Sequence, residues 1–112
     1  MRIAGIVLLA VTLATPAFAA GARYACPATK SGQPLVSHDV FDGPVADEAA
    51  LAPDSGSQTN GVWTFESTYE DGRFITLRCN YADGAATDIT MKQKVKACMA
   101  RTMGKTLSVT CN

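Results

Sequence analysis

The sequence predicts a mainly β fold: a small antiparallel sheet or meander, sandwich- or barrel-like, with an irregular N-terminal half and two disulfide staples. Three observations predict it. Residues 62–112 contain no proline, and apolar and polar residues alternate there in runs separated by glycine-bearing turns. Four cysteines, Cys26, Cys79, Cys98 and Cys111, give an even count in a short chain. All four lie behind a segment with the form of an export signal, which points to an oxidising compartment.

The export segment has a basic start at Arg2, an apolar run over residues 3–13, a break at Pro16 and the small-x-small triplet Ala17-Phe18-Ala19. The run falls short of the roughly 20 apolar residues that span a bilayer. Residues 1–19 are therefore expected to be removed after Ala19, leaving residues 20–112 as one periplasmic domain without a stable membrane anchor. No cysteine stands at the cleavage point to carry a lipid. Loss of Arg2 leaves nine basic against ten acidic residues, a net charge of −1. That balance offers no electrostatic case for nucleic acid or anionic lipid. A domain this small has a modest core, so disulfides are the expected supplement.

The N-terminal half is punctuated by Pro27, Pro34, Pro44 and Pro53. Residues 35–41 read as a strand, but neither alternating set is cleanly apolar: Leu35, Ser37, Asp39 and Phe41 on one side, Val36, His38 and Val40 on the other. Asp42-Gly43-Pro44 is a turn signal. Residues 47–51 suit one helical turn. Residues 55–61 are small and polar, as in an exposed, mobile loop.

The second half reads in register. Trp63, Phe65, Ser67 and Tyr69 alternate with Thr64, Glu66 and Thr68, and Ile75, Leu77, Cys79 and Tyr81 alternate with Thr76, Arg78 and Asn80. A three-residue loop at Glu70-Asp71-Gly72 pairs Phe65 with Leu77 and Trp63 with Cys79, on one face. A second such loop, Ala82-Asp83-Gly84, pairs Cys79 with Thr87, Leu77 with Ile89 and Ile75 with Met91. Trp63, Phe65 and Tyr81 are assigned to the core. A two-residue loop at Gly104-Lys105 pairs Thr102 with Leu107, Ala100 with Val109 and Cys98 with Cys111.

In that last register Cys98 faces Cys111 at a non-hydrogen-bonded pair, where side chains are closest. A bridge there closes about 14 residues and contributes roughly 3 kcal/mol in the chain-entropy model. Cys26 is then left for Cys79. Four cysteines permit three pairings, and the main rival, Cys79 with Cys98 and Cys26 with Cys111, requires strands folded onto each other across a layer.

Candidate chemistry is sparse. His38 is the only histidine. It could serve as a lone general base beside Asp39, but no partner is suggested by spacing, and a surface or turn histidine is the better reading. Asp39, Asp42, Asp47, Glu48 and Asp54 cluster in sequence without the spacing of a calcium loop, so they read as a solvated acidic segment. The cysteines lack a C-x-x-C pair, which argues against zinc and against thiol redox chemistry. Lys92, Lys94 and Lys96 alternate as on the solvent face of a strand, or as a basic stripe that docks an acidic partner. No cofactor is implied.

Val40-Phe41-Asp42-Gly43-Pro44, Ala50-Leu51-Ala52-Pro53-Asp54, Val62-Trp63-Thr64-Phe65, Cys79-Asn80-Tyr81 and Val95-Lys96-Ala97-Cys98 occur in that order. Together they resemble an uncharacterised family of small exported proteins of Gram-negative bacteria. That resemblance transfers no activity. It implies that the Cys79 and Cys98 segments belong together, which favours the rival pairing, and it draws interest to the acidic segment.

The functional expectation is a non-enzymatic periplasmic protein that binds a protein or envelope component, such as an inhibitor or immunity protein against a cell-wall-active enzyme. The candidate partner surface is Asp42, Asp47, Glu48 and Asp54 with Lys92, Lys94 and Lys96. Two alternatives stand beside it: a small-ligand or metal binder using residues 39–54, and a small hydrolase using His38.

Overall fold

The computed structural model describes residues 21–112; the expected export signal and its cleavage site after Ala19 lie outside them. In chain order the elements are β1 (Tyr24–Ala25), β2 (Thr29–Lys30), β3 (Gln33–Asp42), a 3-10 turn (Val45–Asp47), β4 (Ser55–Gly56), β5 (Gly61–Thr64), α1 (Glu66–Glu70), β6 (Ile75–Tyr81), β7 (Ala86–Thr90), β8 (Ala97–Met103) and β9 (Thr106–Cys111). They form two antiparallel sheets, ordered β1-β9-β8-β5-β4 and β2-β3-β6-β7.

Two hairpins follow directly from local chemistry. β6 and β7 pair Leu77 with Ile89 and Cys79 with Thr87, and Met91 N–H donates to Ile75 O at 2.9 Å. β8 and β9 pair Thr102 with Leu107, Ala100 with Val109 and Cys98 with Cys111. Ala97 and Asn112 exchange both backbone bonds, at 3.1 and 3.0 Å. The neighbouring Cys98–Cys111 pair is therefore a narrow one, with Cα atoms 3.9 Å apart.

The third expected hairpin does not form. β5 ends at Thr64 and pairs with β8, Trp63 opposite Cys98, while β6 lies in the other sheet beside β3. Residues 66–70 turn into α1 instead of continuing the strand. Gly72 is left-handed, at φ +73°, as the loop reading required, but for another reason. Its N–H donates to Tyr69 O (2.9 Å) and the Arg73 N–H to Thr68 O (3.0 Å). These are the two bonds of a Schellman helix terminus. One glycine served both readings, and the packing of Trp63 against β8 decided between them.

β3 explains why its alternation looked mixed. A bulge shifts the register between Leu35 and Ser37. Leu35 points inward, the bulged Val36 is exposed, and His38 and Val40 then point inward as well. A strand without the bulge would have turned His38 to solvent.

The core includes residues of both sheets: Leu35, Val40, Ile75, Leu77, Cys79 and Tyr81 from one, and Trp63, Cys98, Ala100, Leu107, Val109 and Cys111 from the other. Ile75 and Leu77 are fully buried, each contributing roughly 1.5–3 kcal/mol relative to an exposed side chain. Buried Thr76 is satisfied by donating to Gly43 O at 2.8 Å.

The disulfides are Cys26–Cys79 and Cys98–Cys111, the pairing that register indicated. The rival pairing implied by the family resemblance is overturned: Cys79 bonds Cys26, and Cys98 bonds the residue directly opposite it on the β8–β9 ladder, Cys111. Cys26 extends the β1–β9 ladder through its N–H to Val109 O (3.0 Å), so its bridge to Cys79 joins one sheet to the other. Cys98–Cys111 lies within one sheet.

Candidate partner-binding surface

Residues 91–96 carry the three lysines, and they are not a strand. β7 belongs to one sheet and β8 to the other, so the chain between them must cross the edge of the sandwich. Met91 and Val95 are buried, but Gln93 between them is exposed, so the period of two that a strand needs is broken. Tyr69 clamps the arch from α1: its hydroxyl donates to Val95 O and accepts from Val95 N–H, both at 3.0 Å. The Tyr24 hydroxyl accepts from Gln93 N–H at 3.2 Å. Lys96 N–H donates to Asn112 O at 3.0 Å. Lys92, Lys94 and Lys96 are exposed on this anchored arch.

Between α1 and the arch lies a cleft of about 540 Å³, lined by Thr64, Glu66, Tyr69, Lys94, Val95, Lys96 and Ala97. The Lys94 Nζ stands 5.4 Å from the centre of the Tyr69 ring, within reach of a cation–π attraction. Lys96 and Ala97 also border a second depression, which Arg23 lines.

The acidic half of the expected surface is used internally. Arg73 donates from Nε to Asp42 Oδ1 (2.7 Å) and from Nη2 to Asp47 Oδ2 (3.1 Å). These hydrogen bonds, Asp42 first, raise the Arg73 pKa further. Asp54 Oδ2 accepts from both the Thr64 N–H (2.5 Å) and its hydroxyl (2.9 Å), tying the irregular segment to β5. Asp39 accepts from Asn80 Nδ2 at 3.1 Å. Glu48 follows the 3-10 turn in a left-handed conformation, φ +53°, and is exposed. Among the described residues, no three His, Cys, Asp or Glu side chains are arranged to hold a metal ion.

Residues 55–61 are exposed as far as Asn60, but they are pinned rather than loose. Ser55 and Gly56 pair with β5. Asn60 Oδ1 accepts from Thr102 N–H (3.1 Å), and Thr59 O from the Thr102 hydroxyl (3.0 Å).

His38 corrects the surface reading. It is 4 % exposed, turned inward by the β3 bulge, and its ring meets Trp63 edge-on with centroids 4.9 Å apart. Nε2 lies 2.7 Å from Gln58 O, so Nε2 carries the proton and donates. Nδ1 is buried without a partner among the described residues. Burial lowers the pKa; the bond to Gln58 and the charge of Asp39 oppose that shift without cancelling it. The neutral ring is thus the folded form, acting as a prop between core and loop.

With the folded pKa below the ordinary value of about 6.5, the unfolded chain binds more protons in the window between the two. The His38 contribution is complete above the ordinary value and is lost as pH falls toward the folded one. We expect thermal unfolding of the parent to lose more Tm between pH 7 and pH 5 than that of His38→Phe. Parallel curves over that window would remove the assignment.

Tyr24 and Tyr69 were not legible as residues of this surface. Tyr69 shares parity with Trp63 and Phe65, so the strand reading sent it to the core; only the helix stop at Gly72 hinted otherwise.

Residues 28–112 match the family described as type VI secretion system Tli immunity protein. No curated protein and no solved structure matches the chain. The matched span runs from before β2 to the last residue and takes in α1, the lysine arch and three of the cysteines. The family has a stated role, where the resemblance read from the sequence carried none. The chain belongs to the type VI secretion system Tli immunity protein family.

Proposed function

We propose that this chain is a periplasmic immunity protein that binds a toxic enzyme delivered by type VI secretion against the cell envelope and blocks it by occlusion. The observation that carries the reading is the family match across most of the chain. Three features support it. The four cysteines are all oxidised into disulfides, as suits a compartment outside the cytoplasm. Residues 1–19 have the composition of an export signal. His38, the residue on which a hydrolase would depend, is committed to the core.

The test is a competition assay. Bacteria lacking the gene are exposed to siblings with an active type VI apparatus, and survivors are counted with the full chain or with a form lacking residues 2–19 supplied in the recipient. The full chain is expected to restore survival and the unexported form to fail. Equal protection by both would refute the periplasmic site of action. No protection by either would refute immunity itself.

A further inference from the structure

We propose that the cleft between α1 and the lysine arch is the surface that grips the effector, and that its occupant is an acidic segment of that protein bearing an apolar side chain. The proposal rests on the immunity reading above and adds where and by what chemistry the partner is held.

The chain is nearly neutral, yet its charges are not equally engaged. Asp42 and Asp47 share Arg73, and Asp88 is held by Arg78 through two bonds of 2.7 and 2.9 Å. Those hydrogen bonds from Arg78 keep the Asp88 carboxyl below its usual range. In contrast, among the described residues no carboxylate lies within ion-pair distance of Lys92, Lys94 or Lys96. Arg23 borders the adjoining depression. Glu66 is the one carboxylate on the cleft wall among the described residues. Among the described residues, Lys92, Lys94, Lys96 and Arg23 thus bring four cations outside any ion pair to one edge of the sandwich, while Lys30, Arg101 and Lys105 lie apart from the cleft.

The arch is also rigid. A surface loop carrying three lysines needs no fixed shape to stay soluble. This one has two buried side chains, Met91 and Val95, and backbone bonds to the Tyr69 and Tyr24 hydroxyls. A preformed backbone loses less entropy when a partner docks.

The cleft also has a mixed lining. Tyr69, Val95, Ala97 and the lysine stems make it largely apolar, and Lys94 and Lys96 bring two positive charges to it. An apolar lining that carries two lysines suits an apolar anchor flanked by carboxylates. Charges so placed accelerate encounter and exclude basic surfaces.

The competition assay tests this with paired variants supplied in the recipient. Lys94→Glu with Lys96→Glu is expected to cut survival at least ten-fold relative to the unaltered chain. Lys30→Glu with Lys105→Glu, which changes net charge equally but does not touch the cleft, is expected to protect fully, as is Lys94→Arg with Lys96→Arg. Thermal unfolding of the purified variants checks the fold; should the reversal variant be unstable, Lys94→Ala with Lys96→Ala is scored in its place. Full protection by the reversal variant overturns the cleft and leaves immunity standing. Equal loss in the Lys30 and Lys105 control assigns the effect to net charge and also overturns it. Failure of the unaltered chain to protect removes both readings.

Discussion

Trp63→Ala is expected to destabilise the protein by about 3–5 kcal/mol, the range for truncating a large buried aromatic. Trp63 is 1 % exposed and sits where three parts of the molecule meet. On β5 it pairs with Cys98 of β8. Its ring edge contacts His38 of the opposite sheet. Its indole N–H donates to Leu51 O at 3.0 Å, so the alanine variant leaves that carbonyl without its donor in addition to opening a cavity. Trp63→Phe separates the two effects: it keeps most of the ring volume, loses the donor, and is expected to cost clearly less. Urea unfolding followed by far-ultraviolet circular dichroism would measure both, using shifts in midpoint at constant slope. A domain of ordinary stability holds only about 5–15 kcal/mol in total, so the alanine variant should be close to unfolding. A loss below about 1 kcal/mol would show that this junction does not organise the core.

Removing the inter-sheet bridge by Cys26→Ala with Cys79→Ala is expected to cost roughly 4 kcal/mol, against roughly 3 kcal/mol for Cys98→Ala with Cys111→Ala. The order follows from loop length: the first bridge spans 53 residues of sequence and the second 13, and longer closed loops remove more entropy from the unfolded chain. The two bridges also differ in what replaces them. Cys98 and Cys111 remain neighbours through the β8–β9 ladder after the bond is gone. Cys26 follows a two-residue strand at the edge of its sheet, and beside the bridge the Tyr81 hydroxyl of β6 ties this segment by donating to Pro27 O at 2.8 Å. Denaturant titration of both variants under oxidising conditions gives the comparison. A larger loss from the hairpin bridge would refute the loop-entropy account.

The parts of the fold that were legible share one property: their partners are near in sequence. The β6–β7 and β8–β9 hairpins were readable because a short glycine-bearing loop and one apolar face jointly determine a register. The Cys98–Cys111 bridge came with the second of them. Legibility failed where two solutions had the same local signature. Gly72 suits a hairpin loop and a helix terminus equally, and the alternation of residues 63–69 did not reveal that the strand stops at Thr64. It failed again at Val36, where a bulge reverses the parity of β3 and carries His38 from surface to core. The lysine arch looked like a strand because its lysines alternate, yet Gln93, of the same parity as the buried Met91 and Val95, is exposed.

Of the candidate surface, residue types were visible and their employment was not. Five acidic residues in sixteen positions, residues 39–54, read as a solvated segment, four of them kept as candidate partner surface; Arg73, distant in sequence, takes two of them, and Thr64 takes a third. The lysines were named among the candidates, but nothing local predicts that Tyr69 and Tyr24 fix the loop that bears them.

By itself the sequence determined a β-rich domain with two hairpins in register, a preferred cysteine pairing and a segment typed for export, because alternation, turn residues and composition act over a few neighbouring positions. The tertiary structure decided that β5 joins β8 rather than β6, that His38 is a core residue, that Asp42 and Asp47 share Arg73 while Asp54 holds Thr64 and that the basic arch faces a cleft. Those outcomes depend on which distant side chains bury the same apolar area or satisfy the same charge, a competition that no local stretch of sequence can resolve.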